Sequence, residues 1–240
     1  MLILINDLMQ ESTIKAAYPE LSSPALSDIY TVTGGTFTIT LPDFRRITHM
    51  GVGNTDATWF RFNGSPLTDV LLEPVQGFPD SYQNGLYEIP YTFSANTLTI
   101  TTDATYIGRF ALANSDASGT PTYFGVHDIG LSPAREPGLW DTSQTRETLS
   151  GQLIEGAGGI SGRQITVDAR YKITETMFQD IERAAANGSL NYPYFVLFNK
   201  ETHRMPWERM YAKIISNEVI FQSSVNSFLY SRKFKLKEMY

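Results

Sequence analysis

The last hundred residues of this chain constrain its fold more than any other stretch. A glycine-rich turn (Gly156, Gly158, Gly159, Gly162) leads into an alternating run over 163–171, where Ile165, Val167, Ala169 and Tyr171 share one face. One short helix is expected over 174–187. Thr174 is a good N-cap, Glu175 suits the positive end of the dipole, and Asn187-Gly188 suits a left-handed stop. Phe178, Ile181 and Ala185 give it a single apolar stripe, enough to cap the open end of a sheet or barrel. Strands are expected at 194–198, 210–215 and 219–222, with a turn at 216–218, and the final run from 228 is itself a strand. In that run Phe228, Tyr230, Phe234, Leu236 and Tyr240 share one face, while Lys233, Lys235 and Lys237 line the other. A three-lysine row reads as a solvated, aggregation-resistant face or as a charged surface against an acidic neighbour. One helix inserted in an antiparallel β unit that ends on a strand is an unusual layout for an enzyme, and it directs attention to assembly.

The first half reads as an all-β unit over residues 1–112. The apolar start at Leu2, Ile3 and Leu4 lacks the basic flank and cleavage site of a signal peptide and reads as a first strand. Residues 36–41 alternate cleanly, with Phe37, Ile39 and Leu41 on one side and threonines on the other. Further strands at 47–52, 58–62, 98–101 and 106–112 are separated by Gly53-Asn54-Thr55-Asp56 and by the hairpin-type pair Asn63-Gly64. That spacing predicts a β-sandwich or jelly roll. Residues 113–148 show little periodicity but contain Tyr123, Phe124 and Trp140, and they read as an extended linker or arm. A mainly β chain with minor helix, a β-sandwich followed by an antiparallel barrel over 149–240, is the resulting expectation.

Composition narrows the function. The chain has no cysteine, so a disulfide framework, a thiolate metal site and a cysteine nucleophile are all excluded. No apolar run approaches the length of a membrane-spanning helix. Net charge is −6 and unevenly placed: residues 1–110 carry five Lys/Arg against eleven acids, residues 140–240 thirteen against eleven. Such asymmetry suggests two units facing different neighbours, without the clustered basic patch of nucleic-acid recognition.

Motifs for chemistry are lacking. The Gly156 cluster precedes a strand, so no helix N-terminus is offered to a phosphate. His49, His127 and His203 lie in three separate segments, and the acids show no spacing that selects a catalytic pair. No enzyme activity, cofactor or metal site is expected. The richest cluster is instead Pro206, Trp207, Arg209, Met210 and Tyr211, residue types enriched at interface hot spots, and it marks a candidate subunit contact. In the first half Trp59, Tyr82 and Tyr87 are candidate stacking residues for a saccharide.

The order of pieces over 149–240 resembles the tail-tube-like barrel of tailed bacteriophages, especially that of distal tail proteins. The matching pieces are the strand at 163–171, the helix at 174–187, the strand at 194–198 ending in Asn199-Lys200-Glu201-Thr202, the aromatic-basic strand Arg209-Met210-Tyr211-Ala212-Lys213, and the terminal strand at 228–240. Distal tail proteins usually begin with their barrel, whereas here a β unit precedes it. The first 115 residues more loosely resemble a discoidin or galactose-binding-like jelly roll, through Ser22-Ser23-Pro24-Ala25-Leu26-Ser27-Asp28, residues 37–42, Arg46-Ile47 and Gly53-Asn54. That family's tryptophan and cysteines are missing. What the first resemblance implies is a structural virion protein of a phage tail tip or baseplate, forming a three- or six-fold homo-oligomeric ring with other tail proteins. The second leaves a host-surface saccharide as the alternative partner.

Overall fold

The computed structural model describes residues 2–4, 7–63, 68–75, 78–82, 84–113, 126–128, 135–141, 145–147, 153–155, 161–169, 193–197, 209–224 and 227–239. Strand β1 (Leu2–Leu4) is followed by a 3-10 turn (Leu8–Gln10) and two short helices, α1 (Ser12–Ala17) and α2 (Pro19–Ser22). Then come β2 (Tyr30–Thr31), β3 (Thr36–Thr55), β4 (Trp59–Phe62), β5 (Val70–Leu71), β6 (Pro74–Val75), β7 (Phe78–Tyr82), β8 (Gly85–Thr102) and β9 (Tyr106–Ala113). The later strands are β10 (Val126–Asp128), β11 (Arg135–Asp141), β12 (Thr145–Glu147), β13 (Leu153–Glu155), β14 (Ser161–Ala169), β15 (Tyr194–Leu197), β16 (Arg209–Ser224) and β17 (Ser227–Glu238). The protein is mainly β with minor helix. The helix expected at 174–187 lies outside the described residues, and so does most of the glycine-rich turn before Ser161.

The first sheet, in the order β2-β9-β3-β8-β4-β5, is curled over on itself into a half-barrel. Its frame is the antiparallel pair β3 and β8, which stay paired from Thr36↔Thr101 to Val52↔Gly85. The register slips between Thr40 and Arg45, so that Leu41-Pro42-Asp43-Phe44 bulges and bends β3. Pro42 has no amide to give a ladder, and a bulge tolerates that. Before the bend the sheet runs from the first half of β3 through the second half of β8 to β4, while beyond it the second half of β3 is flanked by β9. Two layers result, and they face each other through rings: Phe37 and Phe60 in one layer lie 5.8 Å and 5.7 Å from Phe110 in the other. Burial alternates as the sequence pattern predicts, with Phe37, Ile39 and Leu41 inside and Thr36, Thr38 and Thr40 outside. The strands expected at 36–41 and 47–52 are therefore one bent strand.

A repeated tetrapeptide closes one end of this half-barrel. Thr55-Asp56-Ala57-Thr58 joins β3 to β4, and Thr102-Asp103-Ala104-Thr105 joins β8 to β9. Each aspartate ties down the other corner. Asp56 accepts the amides of Thr105 (2.9 Å) and Tyr106 (3.2 Å) and the Thr105 hydroxyl. Asp103 accepts the amides of Thr58 (2.8 Å) and Trp59 (3.3 Å) and the Thr58 hydroxyl. The leading threonines match as well: Thr55 donates to the Tyr106 carbonyl at 2.8 Å and Thr102 to the Trp59 carbonyl at 2.7 Å. Local side-chain-to-backbone bonds of this type are what Asp and Thr offer at turns.

The segment 8–22 covers the open side, with Leu8, Met9, Ile14 and Leu21 in the same core as Phe60, Ile100 and Leu112. Asp7 anchors it. Its carboxylate caps the 3-10 turn at the Met9 amide (2.9 Å), accepts the Leu112 amide (3.1 Å) and pairs with Arg109. Arg109 also donates to the Leu21 and Phe110 carbonyls at 2.7 Å and 2.6 Å. Neither helix was anticipated, because 8–22 carries too few turns to show a 3.6-residue period.

The second sheet has seven strands in the order β10-β1-β15-β16-β17-β14-β11. It crosses the expected division of the chain twice. Leu2–Leu4 pairs with Phe195–Leu197 on one side and with Val126–Asp128 on the other, so the N-terminus belongs to the later sheet. Residues 113–148, read as a linker, supply β10 and β11 to this sheet and β12 to a small pair with β13. Nor is there a turn at 216–218. The strand β16 runs through it, and the polar residues are absorbed by a bulge between Ile214 and Ser216.

Candidate functional site

The two sheets meet along β8, β15 and the start of β16, and a cluster of polar side chains sits at this seam. Alternation on β15 and β16 sends Phe195, Leu197, Arg209 and Tyr211 toward the half-barrel. There Phe195, Leu197 and Tyr211 pack with Leu4, Leu26, Leu86, Ala111 and Ala113. Two glycines permit the approach. A Cβ on Gly51 would overlap the Phe195 ring, and one on Gly85 would stand 2.5 Å from the Arg209 Cβ. Tyr211 is sealed in, its ring 4.5 Å from Phe195 and its hydroxyl donating to the Pro24 carbonyl at 2.9 Å.

Arg209 is held on three sides. Its Nε donates to the Leu86 carbonyl at 3.2 Å, an Nη donates to Glu73 at 2.7 Å, and the guanidinium carbon sits 4.4 Å from the Tyr87 ring centroid. The Glu73 amide approaches the Tyr87 hydroxyl at 3.5 Å. Burial pushes that phenol far above its ordinary pKa, and the Arg209 charge and Glu73 amide draw it only part of the way back. Tyr87 is therefore a neutral hydrogen-bonding group throughout the range in which the protein would be handled.

A cleft of about 490 Å³ opens over this cluster. Asp69, Glu73, Glu88 and Arg209 supply its charge, and Val70, Leu71, Tyr87, Pro90 and Leu197 its apolar walls. Asp69 is already engaged by Arg61 through two bonds, Nε at 2.7 Å and Nη at 3.0 Å. Arg61 in turn lies 5.2 Å from the Trp59 ring centroid. Such a lining can take hydroxyls and cationic groups on its carboxylates and an apolar ring face on its walls.

No family model, curated protein or solved structure matches this chain. What the site can do has to come from its own residues.

Trp59, Tyr82 and Tyr87, far apart in sequence, all flank the segment 70–75. Trp59 is the Cα partner of Leu71, Tyr82 that of Pro74, and Tyr87 lies under Glu73. Their exposure differs. Trp59 is half-buried, whereas Tyr87 is 2 % exposed and covered by Arg209, so it is a floor of the cleft and not a stacking platform. Arg209, Met210 and Tyr211, expected at a subunit contact, are buried inside their own chain; Arg209 and Tyr211 are covered by the contact between its two sheets, while Met210 has the opposite parity. Pro206 and Trp207 lie outside the described residues, as does His203. His49 is buried with its Nδ1 2.9 Å from the Thr48 hydroxyl, and His127 stands opposite Ile3 in β10. Glu73, Asp69 and Arg61 were missed. The pairing of β4 with β5 is what brings Arg61 to Asp69. Among the described residues no helix is long and apolar enough to cross a membrane.

Proposed function

We propose that this chain is a structural virion protein of a tailed phage, a ring subunit of the tail tip or baseplate that works by assembly with itself and with other tail proteins. One observation carries the reading. The hairpin of β16 and β17 outruns its sheet: β15 reaches only Arg209–Ala212 and β14 only Arg232–Lys237, so among the described strands Ile220–Ser224 and Ser227–Ser231 pair with each other alone. Five residues at about 3.4 Å each give an arm of roughly 17 Å. A two-stranded ribbon is marginal on its own in water, which suits a segment completed by a neighbour. The resemblance of 149–240 to distal tail proteins agrees with this use. Negative-stain electron microscopy of the purified protein should show three- or six-fold rings, and the protein should sediment with virions. A strictly monomeric protein absent from particles defeats the proposal.

A second reading has its own support. The cleft beside Trp59, with carboxylates at its wall and the apolar Leu71 and Pro90 among its lining, fits recognition of a host-surface saccharide. Trp59→Ala should then weaken binding on a glycan array. An array with no binder ends that reading.

A further inference from the structure

The two Thr-Asp-Ala-Thr corners belong to a larger repeat. The sheet order β2-β9-β3-β8-β4-β5 reads the same from either end when β2 is exchanged with β5, β9 with β4 and β3 with β8. The registers obey that exchange. The offset that carries Asp56 onto Asp103 turns Phe60↔Thr102 and Phe62↔Ile100 into Ile107↔Thr55 and Arg109↔Gly53, and both of these pairs occur. Val70 and Leu71 stand opposite Phe60 and Trp59 as Tyr30 and Thr31 stand opposite Ile107 and Tyr106. Just beyond them the Leu72 and Val32 amides donate to the Thr58 and Thr105 carbonyls, each at 2.9 Å. The bulge recurs as well: register slips on β3 across Leu41-Pro42 and on β8 across Ile89-Pro90, the aliphatic residue buried and the proline exposed each time. The half-barrel is thus two copies of one three-stranded unit, β2-β3-β4 and β5-β8-β9, about an approximate two-fold axis between β3 and β8.

Equivalent places in the two units are covered differently. In the first, residues 11–20 lie between β2 and the bend of β3. Tyr18 donates its hydroxyl to the Thr38 carbonyl at 2.6 Å, Glu11 meets Arg45 at 3.4 Å, and Ile14 of α1 is buried in the core. Burial, and then the nearby Tyr18 and Glu20, push the Tyr30 phenol above its ordinary value, which places the same segment beside β2. In the second unit Arg209 takes the part of Tyr18. Leu86 precedes its bulge as Thr38 precedes the other, and its carbonyl accepts the Arg209 Nε at 3.2 Å. The place of α1 is the cleft between Val70 and Leu71 on one side and Glu88 and Pro90 on the other, which the described residues leave open. Leu71 stands 69 % exposed on its wall.

We propose that this cleft is a docking groove for a short helix of a partner protein, seated as α1 is seated in the first unit, with one aliphatic side chain in the place of Ile14 and a lysine or arginine beside it. The basic residue follows from the wall: where α1 brings Glu11 to Arg45, the cleft presents the exposed carboxylate of Glu88 beside Pro90. The chain's own segment 8–22 carries Glu11 and Glu20 and does not match that wall, so the occupant is not a second copy. Such a groove is independent of ring formation, and it gives the cleft a different occupant from a saccharide.

The test uses the full chain labelled with nitrogen-15 and three peptides spanning residues 8–22: the native sequence, Glu11→Lys, and Glu11→Lys with Ile14→Asp. The Glu11→Lys peptide should shift the amides of Leu71 and Glu88 saturably, and its Ile14→Asp version should bind about tenfold more weakly or worse. Glu88→Lys in the protein should weaken the Glu11→Lys peptide by about tenfold and strengthen the native one, since the charges are then exchanged. Leu71→Asp should weaken both. Unchanged melting temperatures will show that these two exposed substitutions leave the fold intact. Shifts confined to Thr38 and Arg45 would mean that the peptide displaces α1, and they overturn the groove, as does the absence of shifts with every peptide. Binding that Glu88→Lys leaves unchanged overturns the basic residue. An oligosaccharide that shifts Leu71 and Glu88 where no peptide does hands the cleft to the saccharide reading. Rings seen by microscopy without peptide binding overturn this groove alone and leave the assembly reading in place.

Discussion

Gly51 of β3 and Phe195 of β15 are packed so closely that no side chain fits between them: a Cβ on Gly51 would fall within the Phe195 ring's own volume. The two residues belong to different sheets, and their contact sets how near those sheets lie. Gly51→Ala should cost about 1–3 kcal/mol, since ring or sheet must shift to admit a methyl group. Phe195→Leu in the same chain opens space at that point, so the double variant should be less destabilised than the two single costs added together. Urea denaturation of all four proteins gives the coupling. Additive costs would mean that the sheets do not meet at this pair.

Asp7 and Arg109 form a buried ion pair, with side chains 5 % and 2 % exposed. Asp7→Ala should destabilise by about 3–5 kcal/mol, because it leaves a guanidinium buried without its counter-charge. The same change removes the cap at Met9 and the acceptor for Leu112. Arg109→Met added to Asp7→Ala should recover only part of the loss, since the Leu21 and Phe110 carbonyls then lose their donor. Chemical denaturation checks both, and full recovery would mean those two carbonyl bonds contribute nothing.

The parts of this fold that could be read from sequence are those with a local period. Phe37, Ile39 and Leu41 announce their strand by alternation, and Ile165 and Leu236 lie on the buried side. What failed depended on distant partners. Nothing around Leu2–Leu4 says that its neighbour is Phe195–Leu197, and Arg135–Asp141 carries Pro137 and Gly138, which mask a strand. The Arg209-Met210-Tyr211 cluster was recognisable as interface chemistry, but composition cannot distinguish a contact between chains from one between sheets. One signal was present and overlooked: Thr-Asp-Ala-Thr occurs twice, and an exact tetrapeptide repeat flanked by strands marks paired corners.

Asp56 should make stability depend on acid. Burial alone would raise its pKa, but the Thr105 hydroxyl and the amides of Tyr106 and Thr105 outweigh burial and hold it below the ordinary carboxylate value. A carboxylate with a lowered native pKa contributes stability above its unfolded pKa of about 4, and that contribution disappears as pH falls through the native value. The wild type should therefore lose stability below about pH 4 more steeply than Asp56→Asn, which has no proton to take up. Thr105→Val should move the Asp56 titration upward when followed by carbon NMR. Parallel acid curves for wild type and Asp56→Asn would show that the corner bonds are not formed.

Arg209 offers a test of the seam beneath the cleft. Lysine in its place keeps one charge for Glu73 but has no planar face for Tyr87 and no rigid fork to reach the Leu86 carbonyl at the same time. Arg209→Lys should thus cost nearly as much as Arg209→Ala, each about 1–3 kcal/mol, with the melting temperature falling by about 2–4 °C per kcal/mol in a chain of this size. The near-ultraviolet circular dichroism of Tyr87 should weaken in both variants, because the ring loses the guanidinium that covers it. If lysine instead restores full stability, the Glu73 charge pair is what holds the seam, and the stacking on Tyr87 is incidental.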